Sequence, residues 1–229
     1  MAEAARQASV VDRPTWIMAD RQTGGRGRSG RSWEGSDGNL YATLIYHPGC
    51  TPQAAAQRSF MAAIALFETL AMYVPRGNLS LKWPNDVLLD GGKVAGILLE
   101  SAGTGPFVDW LAVGIGVNLA VAPPVDGAAF PPVSLAEAAK QEIDAGRFLA
   151  RLAGHFQTQE KKLDTFGFAR IREDWLRHAA RLGEVITART PREEVTGTFD
   201  SLDEAGNLVL VTADGPQVIA AADVYFERG

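Results

Sequence analysis

The residues best equipped for chemistry fall in two short segments. The first is Gln22-Thr23-Gly24-Gly25-Arg26-Gly27-Arg28-Ser29-Gly30-Arg31, which packs three arginines and four glycines into ten residues. From Arg21 to Trp33 there are four positive charges and no acid, whereas the whole chain has a formal net charge of −5. A basic loop on an acidic chain calls for a local anion. Glycine reaches positive φ without a Cβ penalty, so backbone N–H groups can converge on phosphate or carboxylate oxygens. Arginine adds forked, permanently charged donors for the same oxygens. The second segment is Lys82-Trp83-Pro84-Asn85-Asp86, followed by Gly91-Gly92-Lys93-Val94-Ala95-Gly96. Pro84 removes a ladder donor and marks a bulge or break, which leaves Asn85 and Asp86 on irregular backbone, where site residues often sit. Across the glycine turn Lys93 can return beside Asp86. A carboxylate and an ammonium at one hairpin mouth suit a Mg-nucleotide and a charged substrate, and Gly96 would let a ligand lie against the returning strand. A surface turn with an ordinary salt bridge has the same pattern, and the residues alone leave both readings open.

Other candidates carry less. Asn118, after Gly114-Ile115-Gly116, either contacts a ligand or satisfies loop carbonyls. Trp33, Trp83 and Trp110 can stack on a ring, but tryptophan is more often core. Glu100 reads as a structural partner for an arginine, and His47, His155 and His178 as structural or surface residues. A Gly/Arg mixture also occurs in disordered RNA-binding tails, but those repeat, whereas this one occurs once between two predicted strands. No GxxxxGK[ST] phosphate loop and no strand-GxGxxG-helix fingerprint is present.

The elements that must position these residues are legible from periodicity. A helix remnant covers 2–9, and Thr15–Ala19 reads as a strand leading into the basic loop. Asn39–Tyr46 leaves that loop as a second strand. A helix is predicted over Pro52–Val74, capped by Thr51 and burying Phe60, Ile64, Phe67, Ala71 and Val74. Leu81–Leu89 and Val94–Glu100 form a hairpin about Asp90-Gly91-Gly92. Trp110–Leu119 is a buried strand, followed by a loop with prolines at 123, 124, 131 and 132. Ser134 and Glu137 form a capping box. Helices follow over 146–166 and 168–180. From Glu184 the texture changes to five short strands separated by turns, the spacing of a small barrel, which places a boundary near Leu182.

Composition narrows the function classes. A hydrophobic fraction of 46% is ample for a core. No apolar run reaches membrane-spanning length, and Met1-Ala2-Glu3-Ala4-Ala5-Arg6 has no signal-peptide core. The single cysteine, Cys50, excludes an internal disulfide and a cysteine-rich metal site. The acidic balance argues against broad nucleic-acid binding. A cytoplasmic globular protein is expected.

Taken together, QTGGRGRSGRSW, GNLY, KWPNDVLL, GGKVAGILLE and VGIGVNL resemble the motifs of the biotin protein ligases, in that family's order and spacing and over nearly the whole chain. The resemblance implies an α+β fold: a mixed-sheet, class II synthetase-like catalytic domain over 1–181 and a small SH3-like β-barrel over 182–229. It implies a two-step reaction, in which ATP activates biotin to biotinyl-5′-adenylate and a carrier lysine then attacks the mixed anhydride. The substrates and cofactors so implied are biotin, ATP and Mg²⁺. The partner would be the biotin carboxyl carrier protein of acetyl-CoA carboxylase or a related carboxylase. By the same resemblance Gln22, Arg26, Gly27 and Arg28 line the biotin and adenylate site, with Gly96 beside them. Arg31 closes the loop over the phosphates, Trp33, Asn118 and Phe130 lie on the nucleotide side, and Lys93 bridges biotin's carboxylate and the phosphate. Asp86 holds Mg²⁺ or orients the carrier lysine, and Arg28, Asp86 and Lys93 form the catalytic set.

One departure stands out. The family carries an Asp-Ser-Thr-like segment before the first helix, and here the sequence opens on what resembles that helix. The expectation is a start codon assigned too far downstream, with weakened biotin binding in the chain as written. The few residues before Thr15 leave no room for a helix-turn-helix, so no DNA binding is expected. No membrane association is expected either, and a homodimer through the sheet edge is compatible with the pattern. The alternatives are a lipoate-type ligase of related fold, or a non-catalytic biotin-binding relative.

Overall fold

The computed structural model describes every residue except positions 31, 34, 126–127 and 227–229, and the side chains of Ser29 and Ser32. From the amino terminus the chain lays down α1 (Ala2–Gln7), β1 (Thr15–Ala19), a ribbon of β2 (Gly25–Arg26) and β3 (Ser32–Trp33), and β4 (Leu40–Tyr46). Then come α2 (Pro52–Leu70), β5 (Leu79–Lys82), β6 (Asp86–Leu89), β7 (Gly92–Ala102), β8 (Trp110–Val117), α3 (Leu135–Ala139) and α4 (Ala145–Leu176). The last part is all strand: β9 (Val185–Arg189), β10 (Glu194–Leu202), β11 (Leu208–Thr212), β12 (Gly215–Ile219) and β13 (Asp223–Phe226). The fold is α+β, as expected.

Six strands form one sheet in the order β1-β4-β8-β7-β6-β5, antiparallel throughout. Strand alternation sends Leu40, Ala42, Leu44, Val113, Ile115 and Ile97 to one face, where α2 and α4 cover them in the main core. Thr51 caps α2 by accepting from the Ala54 N–H at 3.3 Å, and Pro52 opens the helix. The helix ends at Leu70 rather than Val74: the amides of Met72 and Tyr73 turn back onto Thr69 and Leu70, and Pro75 follows. The two helices expected over 146–166 and 168–180 are one helical segment broken at Gly167, whose φ of 71° is outside the helical region. The second half stops at Leu176 because His178 and Ala180 pair with Leu81 through their carbonyl and amide.

Polar groups fasten these layers together. Buried Arg58 of α2 donates to Glu160 of α4 at 2.6 Å and to the Tyr46 hydroxyl at 2.8 Å. Burial, reinforced by the Glu160 charge, pushes the Tyr46 phenol well above its ordinary value, so it stays protonated. His178 stacks on Phe67 at 4.0 Å, and the His47 ring bonds the carbonyls of Val11 and Asp109. Both fit a structural role.

Two expectations need correction. Leu81–Leu89 is two strands, β5 and β6, folded back on each other across Trp83-Pro84-Asn85, with a cis peptide before Pro84. Ser134 makes no side-chain cap to α3. The amides of Leu135 and Ala136 instead donate to the carbonyls of Asn118 and Leu119, both at 2.8 Å, so the first turn of α3 is tied to the chain that follows β8.

The C-terminal strands form a five-stranded antiparallel sheet in the order β12-β11-β10-β9-β13. Its β10–β11 turn docks on the larger part. Trp83 Nε1 donates to the Gly206 carbonyl at 3.0 Å, and Gly206 (φ 88°) lies so close to the Phe60 ring that a Cβ there would come within 2.6 Å of it. Among the described residues no helix is long and apolar enough to cross a membrane.

Candidate active site

The second face of the six-stranded sheet carries the site, and strand register explains how. One cross-strand row runs Ala19–Tyr41–Gly116–Gly96–Asp86–Lys82, one residue from each strand. Two facing glycines therefore make a floor without side chains in the middle of the sheet, and a carboxylate and an ammonium stand at one end of it. A sheet holds such a row rigidly, which is what a binding surface requires.

Lys93 joins this row through an irregularity. Counting back from Gly96, plain alternation would turn Lys93 to the opposite, helix-covered face. The β6–β7 register instead shifts between Val87 and Leu88, so that Leu88 faces Lys93 while Asp86 faces Gly96. The extra residue re-aims the lysine, a recurrent use of bulges. Its backbone is locked from the other side: the Lys93 N–H donates to the Pro131 carbonyl at 2.9 Å, and its carbonyl accepts from Val133 at 3.1 Å. The proline-rich loop is thus a strap that holds this lysine in place.

The charges meet at Asp86. Lys93 Nζ lies 2.6 Å from Oδ1 and Lys82 Nζ 3.6 Å from Oδ2. Lys82 is the more buried of the two cations, with a side chain 8% exposed against 30% for Lys93. The Lys82 ammonium also faces the Phe130 ring at 4.6 Å, and Phe130 in turn packs edge-on against Phe226 at the end of β13. Asn85 donates to the Ile97 carbonyl at 2.5 Å and fixes the turn.

Above the floor lies Trp33. A Cβ at Gly116 would come within 2.7 Å of its ring, and one at Gly96 within 3.4 Å of both its ring and the Lys93 ammonium. The Lys93 ammonium is 5.4 Å from the ring centre. Trp33 Nε1 is buried without a hydrogen-bond partner among the described residues, a condition that costs roughly 1–3 kcal/mol and that a ligand acceptor would relieve. The basic loop is not shapeless: Gly25 faces Trp33 and Arg26 faces Ser32, while Gln22 packs against Gly25 and Gly35 too closely for any Cβ. Arg26 is exposed, and Gly27 and Arg28 are half-buried. Arg31 lies outside the described residues. At the other end of the floor, Met1 packs on Gly114 and its amino group donates to the Thr43 hydroxyl at 3.2 Å. Asn118 is buried, and its amide donates to the Lys93 carbonyl at 3.4 Å.

Residues 3–118 match the model of the Biotin/lipoate A/B protein ligase family, and residues 182–227 match that of the Biotin protein ligase C terminal domain. Across 98% of its length the chain is 49% identical to the biotin–[acetyl-CoA-carboxylase] ligase of Paracoccus denitrificans and covers 95% of that protein. The chain belongs to the biotin protein ligase family. Its other relatives include the biotin–[acetyl-CoA-carboxylase] ligase of Mycobacterium tuberculosis, 32% identical over 98% of this chain and 84% of that one. The bifunctional ligase/repressor BirA of Bacillus subtilis is also 32% identical, and this ligase spans 65% of its length. In three dimensions the ligase superposes on the Aquifex aeolicus biotin protein ligase in complex with biotin and ATP with a TM-score of 0.84. That match has 26% identity and covers 98% of this chain and 94% of the other.

The described residues form no cage for a resident magnesium ion. Among the described residues no three His, Cys, Asp or Glu side chains come together to hold a metal, and Asp86 already serves two ammoniums. Two contributors to the site escaped the reading of the sequence. Lys82 sat in the quoted KWPND motif without a role, although a lysine inside a buried strand is itself a signal. Gly116 carries no signal of its own in the sequence, because its pairing with Gly96 exists only across strands.

Proposed function

We propose that this ligase activates biotin with ATP and transfers the biotinyl group to a lysine of a biotin carboxyl carrier protein, that of acetyl-CoA carboxylase or a related carboxylase. The observation that carries the reading is the Lys93–Asp86 pair at the edge of the glycine floor, beneath an indole whose N–H has no partner among the described residues. In the first step a biotin carboxylate oxygen bonds to the α-phosphorus of ATP, the bond to the bridging oxygen breaks, and pyrophosphate leaves. Two anions must approach each other, so cations at the reacting oxygens supply most of the stabilisation. Lys93 is assigned that role, with Arg28 and Arg26 completing the positive field and Gln22, Gly27 and Gly96 bounding the acid. In the second step the carrier amine attacks the acyl carbon, AMP leaves, and the amine gives up a proton.

Trp33, Arg31, Asn118 and Phe130 are assigned to the nucleotide side. For Asn118 the support is indirect, through the Lys93 carbonyl. Mg²⁺ would arrive on the ATP phosphates, as is usual for this ion, and Asp86 acts through Lys93 rather than as a ligand in a protein cage. The catalytic part is taken to run over 1–181 and the C-terminal part over 182–229.

The test is incubation of the full chain with ATP, Mg²⁺, a carrier domain and either biotin or lipoate. Carrier biotinylation is expected; lipoylation, or no modification, would overturn the assignment. Lys93→Ala should lower pyrophosphate release by at least a hundredfold while its thermal melt stays within a few degrees, since Lys82 remains opposite Asp86 as a counter-charge. Undiminished release would remove Lys93 from the mechanism.

A further inference from the structure

We propose that Lys82 is a positioning residue for this reaction: its ammonium takes charge of the Asp86 carboxylate when Lys93 leaves it for the reacting anions. The proposal rests on the biotin-activation reading. One carboxylate faces two cations that differ in freedom. Lys82 is directly opposite Asp86 in the β5–β6 ladder, its side chain is 8% exposed, and its ammonium lies against both Asp86 and the Phe130 ring. Moving that ammonium elsewhere would strand a buried charge. Lys93 has its backbone strapped by Pro131 and Val133, but its ammonium is the more exposed and lies over Gly96 beside Trp33, on the ligand side. One cation is fixed and the other deliverable.

The distances fit an exchange. At rest Lys93 holds the short contact of 2.6 Å and Lys82 stands off at 3.6 Å. When Lys93 turns to the phosphate and carboxylate oxygens, Asp86, itself only 13% exposed, would lose its nearest counter-charge. In a partly buried setting that loss is far larger than in water. Lys82 needs to close only the remaining gap to a charge-assisted hydrogen bond, which offsets the loss and keeps Asp86 in place to receive Lys93 again. A purely structural Lys82 would affect folding and nothing else.

A double-mutant cycle on the full chain separates these roles. Lys82→Met should slow single-turnover adenylate formation about tenfold, with KM for biotin and ATP within about twofold of the unaltered chain. Lys82→Arg, which keeps the charge, should recover most of the rate. In an Asp86→Asn background, where no carboxylate charge is left to hold, Lys82→Met should cost less than about twofold. An equal penalty in both backgrounds, a rise in KM without a fall in rate, or no loss at all would overturn the proposal. If Lys82→Met fails to fold, Lys82→Gln takes its place in the same cycle. Inactivity of the unaltered chain toward biotin would remove the underlying reading and this inference with it. A fully active chain with a background-independent Lys82 penalty would remove the inference alone.

Discussion

At the scale of single residues, the two floor glycines are not equivalent. Gly116 meets the Trp33 ring at a distance no Cβ tolerates, whereas Gly96 leaves ordinary contact. Gly116→Ala should therefore displace the indole, shift its fluorescence to longer wavelength and weaken ATP binding at least tenfold, while Gly96→Ala should change ATP binding less than about threefold. Fluorescence titration of both variants checks the order, and equal effects would contradict the packing. Side-chain chemistry was legible at this scale where it is local: the basic loop, and Lys93 returning beside Asp86. What was not legible is cross-strand. Nothing near Gly116 in the sequence says that Gly96 lies opposite it, and Lys82 comes to face Asp86 only because β5 and β6 fold back on each other across Trp83-Pro84-Asn85.

At the scale of elements, hydrogen-bond supply decides which capping signals are used. Asp144 accepts from the Arg147 N–H at 2.7 Å at the start of α4, while Ser134 makes no cap to α3. Asp144→Ala should cost about 1 kcal/mol, and Ser134→Ala less than about 0.5 kcal/mol through capping, measured by urea unfolding. A full capping loss at Ser134 would show that the Asn118 and Leu119 carbonyls do not substitute for it. Helix and strand periods predicted nearly every element, including the separate identity of the helices on either side of Gly167. The short elements were harder. The β2–β3 ribbon has two residues per strand and no period to read, and the β6–β7 bulge that turns Lys93 toward the site is a matter of pairing, which a single strand's sequence does not encode.

At the scale of the whole molecule, the turn of Asp203 to Asn207 joins the two sheets' territories through Trp83 and Phe60. Burial alone would raise the Asp203 carboxyl, but hydrogen bonds from the Asn207 side chain and from the backbone N–H groups of Asn207, Ala205 and Gly206 outweigh it and hold the pKa below the usual aspartate value. A depressed folded pKa gives stability that is fully present above the unfolded value, about 3.9, and is lost as pH falls through the lower folded one. Asp203→Ala should thus melt below the unaltered chain by a constant margin at neutral pH, and that margin should shrink only below about pH 4. A margin that persists at lower pH would exclude the carboxylate as its source. The change of texture near Leu182 announced a separate C-terminal sheet; its docking depends on an indole N–H reaching a turn more than a hundred residues away, and no local pattern could announce that.

The row from Ala19 to Lys82 is also unequal at its two ends. Beyond β5 the chain segment at His178–Ala180 is bonded to Leu81 on both its amide and carbonyl, whereas β1 has no strand on its outer side among the described residues. Isotope labelling of backbone amides in heavy water should accordingly advance across the sheet from one flank. Thr15–Ala19 would take up deuterium first, and the paired lysines at the opposite flank would sit behind the slowest-exchanging strands.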